Sequence, residues 1–347
     1  MYPFKIDFRS IFAFCFNMRR IIFYILTSSI LSPLLGLSVV PFDTNYIHVF
    51  KQNYTVLADI YGKQVNFSLR PYMKVDSIDS REIKYTPNVS SYFGISASYK
   101  GWGLGVSFPV PTSVKSDSIY GKTTFYDYKF SLNKRKFGGT AYLKYYKGFY
   151  LDKPELFDTA WNGGVVPHRN DMQLLTLGFN AYYLFNNKQF SMRSVLSQTE
   201  RQKQTASTFL LMTDIFASVI ESDSSIIPTA EELYYQDLKG FQDMFLYSFA
   251  VMGGYAHCNV IANNYYVCPM VYIGPGFQHK LMNADIGVVT KNNVFLKSDF
   301  KFAAGYNAET AYLGVLFDVE SNLMPSKYAN FKSTVLLIDF FVGYRFW

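Results

Sequence analysis

The feature that most constrains the fold of this chain is a period-two alternation of apolar and polar residues, clearest in its last segment. One face of that segment is apolar along its whole length and comprises Leu336, Ile338, Phe340, Val342, Tyr344 and Phe346. The opposite face carries Asp339, Gly343 and Arg345. Successive side chains of a β-strand point to opposite faces, so this segment predicts a strand with one apolar and one polar face. A closed sheet with lipid outside and a polar lumen inside requires such strands.

Twelve segments repeat this scheme along the chain: 65–72, 92–99, 102–110, 125–132, 137–150, 172–185, 190–196, 245–258, 265–274, 294–306, 311–319 and 336–346. Most contain about ten residues or more, enough for a tilted strand to cross a bilayer. The pattern predicts an all-β fold, an antiparallel transmembrane outer-membrane β-barrel of about 12 strands.

The connections test this prediction, because outer-membrane barrels have short periplasmic turns and long external loops. Short connections rich in turn-forming residues fall at 100–101, 133–136, 186–189, 262–264 and 307–308. Long ones cover 73–91, 111–124, 151–171, 197–244, 277–293 and 320–334. If every short turn is periplasmic, both termini lie in the periplasm. The strand-like segment 207–219 would break the parity, so a barrel of 14 strands is the alternative.

Two segments depart from the alternation. Thr229 and Glu232 have the spacing of a capping box, which predicts a helix that runs toward Gln242 over the outer mouth. Residues 45–62 have a loosely helical spacing of apolar positions. We expect this segment to pack at the periplasmic rim or to enter the lumen.

The N-terminal region predicts export. Arg19 and Arg20 precede the apolar run 21–40, in which the stretch 21–35 is followed by the small residues Gly36 and Ser38 at a spacing of two. This is the pattern of a cleaved signal peptide over residues 1–38, with Met18 as a possible true start. The predicted organisation is then a signal peptide (1–38), a periplasmic N-terminal segment (39–62) and a transmembrane β-barrel (63–347).

The composition agrees with a barrel, and the charge excludes one class of binding partner. The chain is 19% aromatic and 17% charged, with a mean hydropathy of +0.02, which is too low for a helical membrane protein. The formal charge of +7 falls to 29 minus 25, or +4, without residues 1–38, and this small excess indicates no nucleic-acid partner. The expected partners are outer-membrane lipid, the barrel-assembly machinery and, in the lumen, a small polar solute. Phe346 and Trp347 end the chain and resemble the signal by which barrels are recognised for insertion.

Three short motifs resemble an uncharacterised family of exported barrels. They are the runs 198–203 (QTERQK), 253–256 (GGYA) and 274–276 (GPG). Through them the mature chain is similar to domain-of-unknown-function family 4421. The resemblance implies an outer-membrane location and no activity.

The alternation places charges of both signs on the inward faces: Arg70, Asp127, Lys129, Lys144, Arg193, Lys297, Asp299, Lys301, Asp318, Asp339 and Arg345. A narrow polar pore and a salt-bridged, nearly closed interior both fit this mixture. A turn at 307–308 would pair Lys297 with Asp318, whereas a turn one residue later would pair Asp299 with Asp318. The first register is electrostatically better.

Cys258 and Cys268 fall on the inward faces of one predicted hairpin, directly opposite each other across a three-residue turn. Opposed residues in an antiparallel pair are within disulfide reach if the twist allows it. A cross-strand disulfide, two inert thiols, or a metal pair with His257 or His279 are the alternatives.

No catalytic constellation is evident in the sequence. Known outer-membrane lipases carry a His-x-Ser pair on one strand face, and none of the four histidines, His48, His168, His257 and His279, has that neighbour. We therefore predict no catalytic residue, no metal and no cofactor. The preferred function is a narrow polar pore or transport barrel, the alternative is a plugged structural or surface-binding barrel that contacts glycans or envelope proteins, and a barrel hydrolase ranks third.

Overall fold

The computed structural model describes residues 41–51, 54–63, 67–69, 82–111, 114–158, 161–235, 238–262, 264–323 and 333–346. Its strands are β1 (Ile47–Val49), β2 (Tyr54–Lys63), β3 (Phe67–Leu69), β4 (Ile83–Thr86), β5 (Ser91–Tyr99), β6 (Trp102–Pro109), β7 (Thr124–Asn133), β8 (Phe137–Leu151), β9 (His168–Leu184), β10 (Glu200–Gln202), β11 (Ala206–Glu221), β12 (Asp243–Ala262), β13 (Tyr265–Ala284), β14 (Gly287–Asn307), β15 (Ala311–Leu323) and β16 (Ser333–Phe346). The helical elements are α1 (Asp117–Tyr120) and the 3-10 turns Pro154–Leu156, Met192–Ser194 and Thr229–Tyr234. No helix in these ranges is long and apolar enough to span a membrane.

Twelve of the described strands form the wall of a closed antiparallel barrel, in the order β2, β5, β6, β7, β8, β9, β11, β12, β13, β14, β15 and β16. Pairing of β16 with β2 and of β8 with β9 completes the circle. The prediction of an all-β antiparallel barrel with 12 strands is confirmed. Residues 1–38, the predicted signal peptide, lie outside the described residues.

The two faces of the wall follow the alternation. On β16 the side chains of Ile338, Phe340 and Val342 are exposed on the outside, whereas Arg345 is buried inside. Such an outer surface is favourable only against an apolar medium, because it would present a continuous band of large apolar side chains to water.

The two ends of the barrel differ. At one end Tyr54 pairs with Phe346, and four of the described connections are short; we call this the short-turn end. Aromatic pairs line its outside, among them Tyr54 with Tyr99, whose ring centroids are 4.5 Å apart. The opposite end, which carries most of the long connections, is called the long-loop end.

Strands β12, β13 and β14 contain 20, 20 and 21 residues, about twice what a bilayer crossing needs. They therefore extend beyond the rest of the wall at the long-loop end. The predicted loop 277–293 is wrong in this respect, because the strands continue through it to a tight turn where Ala284 pairs with Gly287.

The first barrel strand was also predicted wrongly. Segment 65–72 supplies only the short β3, which pairs with β4, and β4 in turn pairs with the long-loop end of β8. The wall begins with β2 at Tyr54 and not at residue 63. The inward face of β2 carries Thr55, Asp59 and the buried Tyr61. The mixed polarity of this inward face obscures the period of two and produces the apparent helical spacing.

The seventh predicted strand and the predicted helix are wrong as well. Residues 190–196 contain the 3-10 turn Met192–Ser194, and the strand-like segment 207–219 lies in β11, so the wall keeps twelve strands. The predicted helix is limited to the 3-10 turn Thr229–Tyr234, without a side-chain cap. The residues after it turn inward, and Tyr235 and Leu238 are buried.

Candidate functional site in the barrel interior

The long-loop end of the lumen is filled by a packed apolar cluster, which we call the loop-end cluster. It joins β2, β5, β7 and β8 to the opposite wall of β11, β12 and β13 through the hairpin β3–β4 and the segment 222–242. The Tyr85 hydroxyl donates to the Ile226 carbonyl at 2.7 Å, and the Tyr235 hydroxyl donates to the Leu69 carbonyl at 2.8 Å. Its fully or almost fully buried members include Leu69, Ile83, Tyr92, Tyr146, Met172, Ile226, Leu238 and Phe241.

The short-turn end is filled by residues 43–50 and 185–205, which we call the turn-end plug. Strands β1 and β10 lie in it and pair antiparallel, with Ile47 opposite Gln202. Phe190, Met192 and Val195 are buried against side chains of β9, β11, β12 and β13. The predicted short turn at 186–189 is only the start of this insertion.

Glu200 is the electrostatic centre of the turn-end plug. Its side chain is completely buried, and its carboxylate lies 2.6 Å from the Arg135 guanidinium and 2.9 Å from that of Arg193. The Ser191 hydroxyl donates to it at 2.5 Å. Burial lowers the pKa of Arg135, an effect that the Glu200 carboxylate opposes. A buried carboxylate with two guanidinium partners and a hydroxyl donor satisfies the requirement that buried charges be paired.

Arg345 connects the last strand to the plug. Its Nε donates to the Gln198 carbonyl at 2.9 Å and its Nη1 to the Ala308 carbonyl at 2.6 Å. Its guanidinium lies 3.7 Å from the centroid of the Phe50 ring. Arg345 thus binds both halves of the plug to β16, a role that the alternation alone does not indicate.

Between the two closures lies a belt of charged residues on the inner wall. Lys301 contacts Asp318 and lies 3.1 Å from Asp299. Lys297 contacts Asp214 and lies 3.7 Å from Glu320. Asp299, Asp318 and Glu320 are the group of acidic side chains in the described ranges that are close enough together to share a metal ion. The ammonium groups of Lys297 and Lys301 already lie among them.

Both predicted registers of β14 and β15 are wrong. Lys301 is opposite Asp318 and Asp299 is opposite Glu320, because the connection spans residues 308–310. This register places a positive charge opposite Asp318, as the electrostatic argument predicts, but the lysine is Lys301 and not Lys297.

A cavity of about 160 Å³ lies along the wall of β2, β5, β6 and β7. Small inward side chains leave this space, and its polar lining consists of Asp59, Ser96, Ser98, Ser107, Lys129, Ser131, Asn133, Thr140 and Ser197. In the described part of the chain, both carboxylate oxygens of the buried Asp127 and one oxygen each of Asp59 and Asp339 have no hydrogen-bond partner. One carboxylate oxygen each of Asp299 on β14 and Asp318 on β15 also has no hydrogen-bond partner in the described ranges, but both of these side chains have Lys301 as an ion-pair partner.

Aromatic rings over glycines shape the rest of the inner wall. A Cβ atom built on Gly254 would lie 2.5 Å from the Tyr272 ring of the neighbouring strand. The same clash of a Cβ with a ring of the paired residue occurs at Gly138, Gly178, Gly276, Gly314 and Gly343. Glycine removes the side chain at these positions, so that a ring lies flat on the wall and occupies less of a narrow lumen.

The remaining predicted site residues lie in different parts of the structure. Asp127, Lys129, Lys144 and Asp339 lie on inward faces, Arg193 belongs to the plug and not to the wall, and Phe346 is exposed at the short-turn end. Arg70 and Trp347 lie outside the described residues.

Cys258 and Cys268 are buried in one cluster with free thiols, and the cross-strand disulfide stays a prediction. Sequence reasoning missed Glu200, Asp214 and Glu320, of which Asp214 lies in the segment left out of the strand count.

Comparison with known proteins identifies a family and a set of barrels. The model of a domain of unknown function, DUF4421, matches residues 41–346. No curated protein matches. Among solved structures, the outer membrane protease OmpT from Escherichia coli is similar over 86% of this chain and 98% of its own, at 8% identity and a TM-score of 0.37. OmpT of Vibrio cholerae is similar over 84% of this chain and 98% of its own, at 8% identity and a TM-score of 0.32.

Proposed function

The chain belongs to the DUF4421 family, a domain of unknown function, and we propose from its geometry that it is a plugged outer-membrane barrel that binds partners at its external surface. The observation that carries the proposal is the loop-end cluster, in which the chain fills its own lumen. An open porin needs a continuous aqueous path between its two ends. Here packed side chains and two tyrosine hydrogen bonds interrupt that path.

The proposed orientation places the short-turn end in the periplasm. It holds the ends of the first and last barrel strands, as the general architecture of such barrels requires. The long-loop end, with the extended strands β12, β13 and β14, then faces outward and presents the binding surface. Outer-membrane lipid surrounds the wall, and the barrel-assembly machinery inserts it after export.

The first test is a cold gel of boiled and unboiled membrane fractions, followed by single-channel recording of the folded protein in planar bilayers. We expect the unboiled form to migrate faster, because a closed barrel resists unfolding in detergent, and we expect no conductance steps. An unshifted band would contradict the barrel, and regular steps would contradict the plugged state.

A narrow polar pore is the second candidate, and the lumen cavity with its hydroxyl lining favours it. In that case a small polar solute would pass along β5, β6 and β7 whenever the loop-end cluster opens. The recording separates the two candidates. Conductance steps in the wild type that shrink in Ser98→Phe, which fills the cavity, would favour the pore.

A further inference from the structure

Ser207 and His257 form a hydrogen-bonded pair on the outer surface of the barrel. They are opposite each other on β11 and β12, and Ser207 Oγ lies 2.7 Å from His257 Nδ1. The neighbours Ala206 and Cys258 are buried on the inside, whereas Phe209 and Tyr255 are exposed on the outside. The alternation therefore places the serine hydroxyl and the imidazole on the lipid-facing side.

The pair lies at the level of a membrane interface. The next outward pair along the same two strands is Phe209 with Tyr255, whose rings are T-shaped with centroids 5.4 Å apart. This pair belongs to the aromatic band of the short-turn end, together with Tyr54 and Tyr99. Aromatic bands of this kind sit at the headgroup level, where the acyl esters of glycerophospholipids also lie.

A second polar pair adjoins the first. Thr205 Oγ1 donates to Asn259 Oδ1 at 3.0 Å, one step nearer the short-turn end. The carbonyl oxygen of the Asn259 side chain accepts this bond, and the amide NH₂ group is the donor of the same side chain. A hydroxyl, an imidazole and an amide thus lie on neighbouring outward positions of β11 and β12.

We propose that Ser207, His257 and Asn259 form a hydrolytic site for the acyl esters of glycerophospholipids. A serine is activated as a nucleophile by a base within hydrogen-bond reach, and an amide donor stabilises the oxyanion that forms on attack. The site acts on the membrane that surrounds the barrel, so a closed lumen does not hinder it. The proposal is independent of whether the barrel conducts.

The reaction balances without a co-reactant other than water. Ser207 Oγ attacks the ester carbonyl carbon while His257 Nδ1 accepts the hydroxyl proton. The bond from the acyl carbon to the glycerol oxygen breaks, and that oxygen takes the proton from His257 and leaves as the lysophospholipid. Water then attacks the acyl-serine ester, His257 accepts a proton from it and returns one to Ser207, and the free fatty acid departs.

The test uses the full-length folded barrel in vesicles of phosphatidylethanolamine and phosphatidylglycerol, with released fatty acid as the readout. A fluorophosphonate probe reports the reactive serine separately. We expect the wild type to release fatty acid and to be labelled, and Ser207→Ala to lose both. His257→Gln keeps a hydrogen-bonding side chain but no base, and we expect a loss of about 100-fold or more. We expect a similar loss in Asn259→Ala.

Two matched variants serve as controls. Ser218→Ala removes a hydroxyl from the same strand on the lumen side, where it pairs with Thr176 at 2.8 Å. His279→Gln removes an imidazole that is hydrogen-bonded to Asn292. His279 lies on β13, far from this site. Both should retain wild-type rates, and all variants should show the fast band on a cold gel. No release by the folded wild type, or release that persists in Ser207→Ala, would overturn the proposal.

Discussion

Single residues of the lumen explain one position in each of the three family motifs. Gly254 lies under the Tyr272 ring and Gly276 lies under the Phe295 ring, so both motifs make room for an aromatic side chain on the next strand. The motif at 198–203 forms β10 and contributes Glu200, the buried partner of two arginines. Gly254, Gly276 and Glu200 therefore shape the interior of the barrel.

Neighbouring glycines offer a direct test of the aromatic packing. In Gly254→Ala the added methyl group collides with Tyr272, and we expect the free energy of unfolding to fall by about 1–3 kcal/mol. Gly253→Ala meets no atom within 4 Å and should change it little. Urea titration of the refolded barrel measures both, and equal effects would contradict this account.

Glu200 allows a similar comparison of buried and exposed charges. Glu200→Gln leaves the Arg135 and Arg193 guanidinium groups without their buried counter-charge, and we expect a loss of about 3–5 kcal/mol. The control is Glu309→Gln, because Glu309 is half exposed where it contacts His48. An exposed pair contributes about 1 kcal/mol or less. A Glu200 variant as stable as the Glu309 variant would mean that the plug does not depend on this charge.

At the scale of elements, the barrel is closed by segments other than its twelve wall strands. The hairpin β3–β4 and the segment 222–242 fill one end, and β1, β10 and the chain around them fill the other. Each closure is fixed to the wall or to itself by buried polar bonds, such as those of Arg345 and Tyr235.

Weakening the loop-end cluster should make its segment 222–242 more accessible to protease. Tyr85→Phe with Tyr235→Phe removes the two buried hydroxyl donors of the Ile226 and Leu69 carbonyls, at about 1–3 kcal/mol for each bond. Limited proteolysis of intact cells should then cut within 222–242 faster than in the wild type. Tyr247→Phe, on the lipid-facing wall, is the control, and equal cleavage in both variants would contradict the role of these bonds.

At the scale of the whole molecule, two closures lie in series with a charged belt between them. A path through the lumen needs both to open, because either one alone interrupts it. We therefore expect no conductance when only residues 226–241 are deleted, and steps when that deletion is combined with Glu200→Gln and Arg345→Ala. Bilayer recording measures this, and steps from the single deletion would show that the turn-end plug leaves a passage.

The sequence by itself determined the wall: the period of two decides which side chains face lipid, and it needs only neighbours along one strand. It predicted twelve strands although two of them were placed wrongly, at 65–72 and 190–196, because short amphipathic segments look alike whether they cross a membrane or fill a lumen. Only the tertiary structure decided which segments enter the barrel, since that depends on the space left by inward glycines and serines. It also decided the register of β14 and β15, where Lys301 meets Asp318. The same reason hides Ser207 and His257 from a sequence search, because strand pairing brings together two residues fifty positions apart.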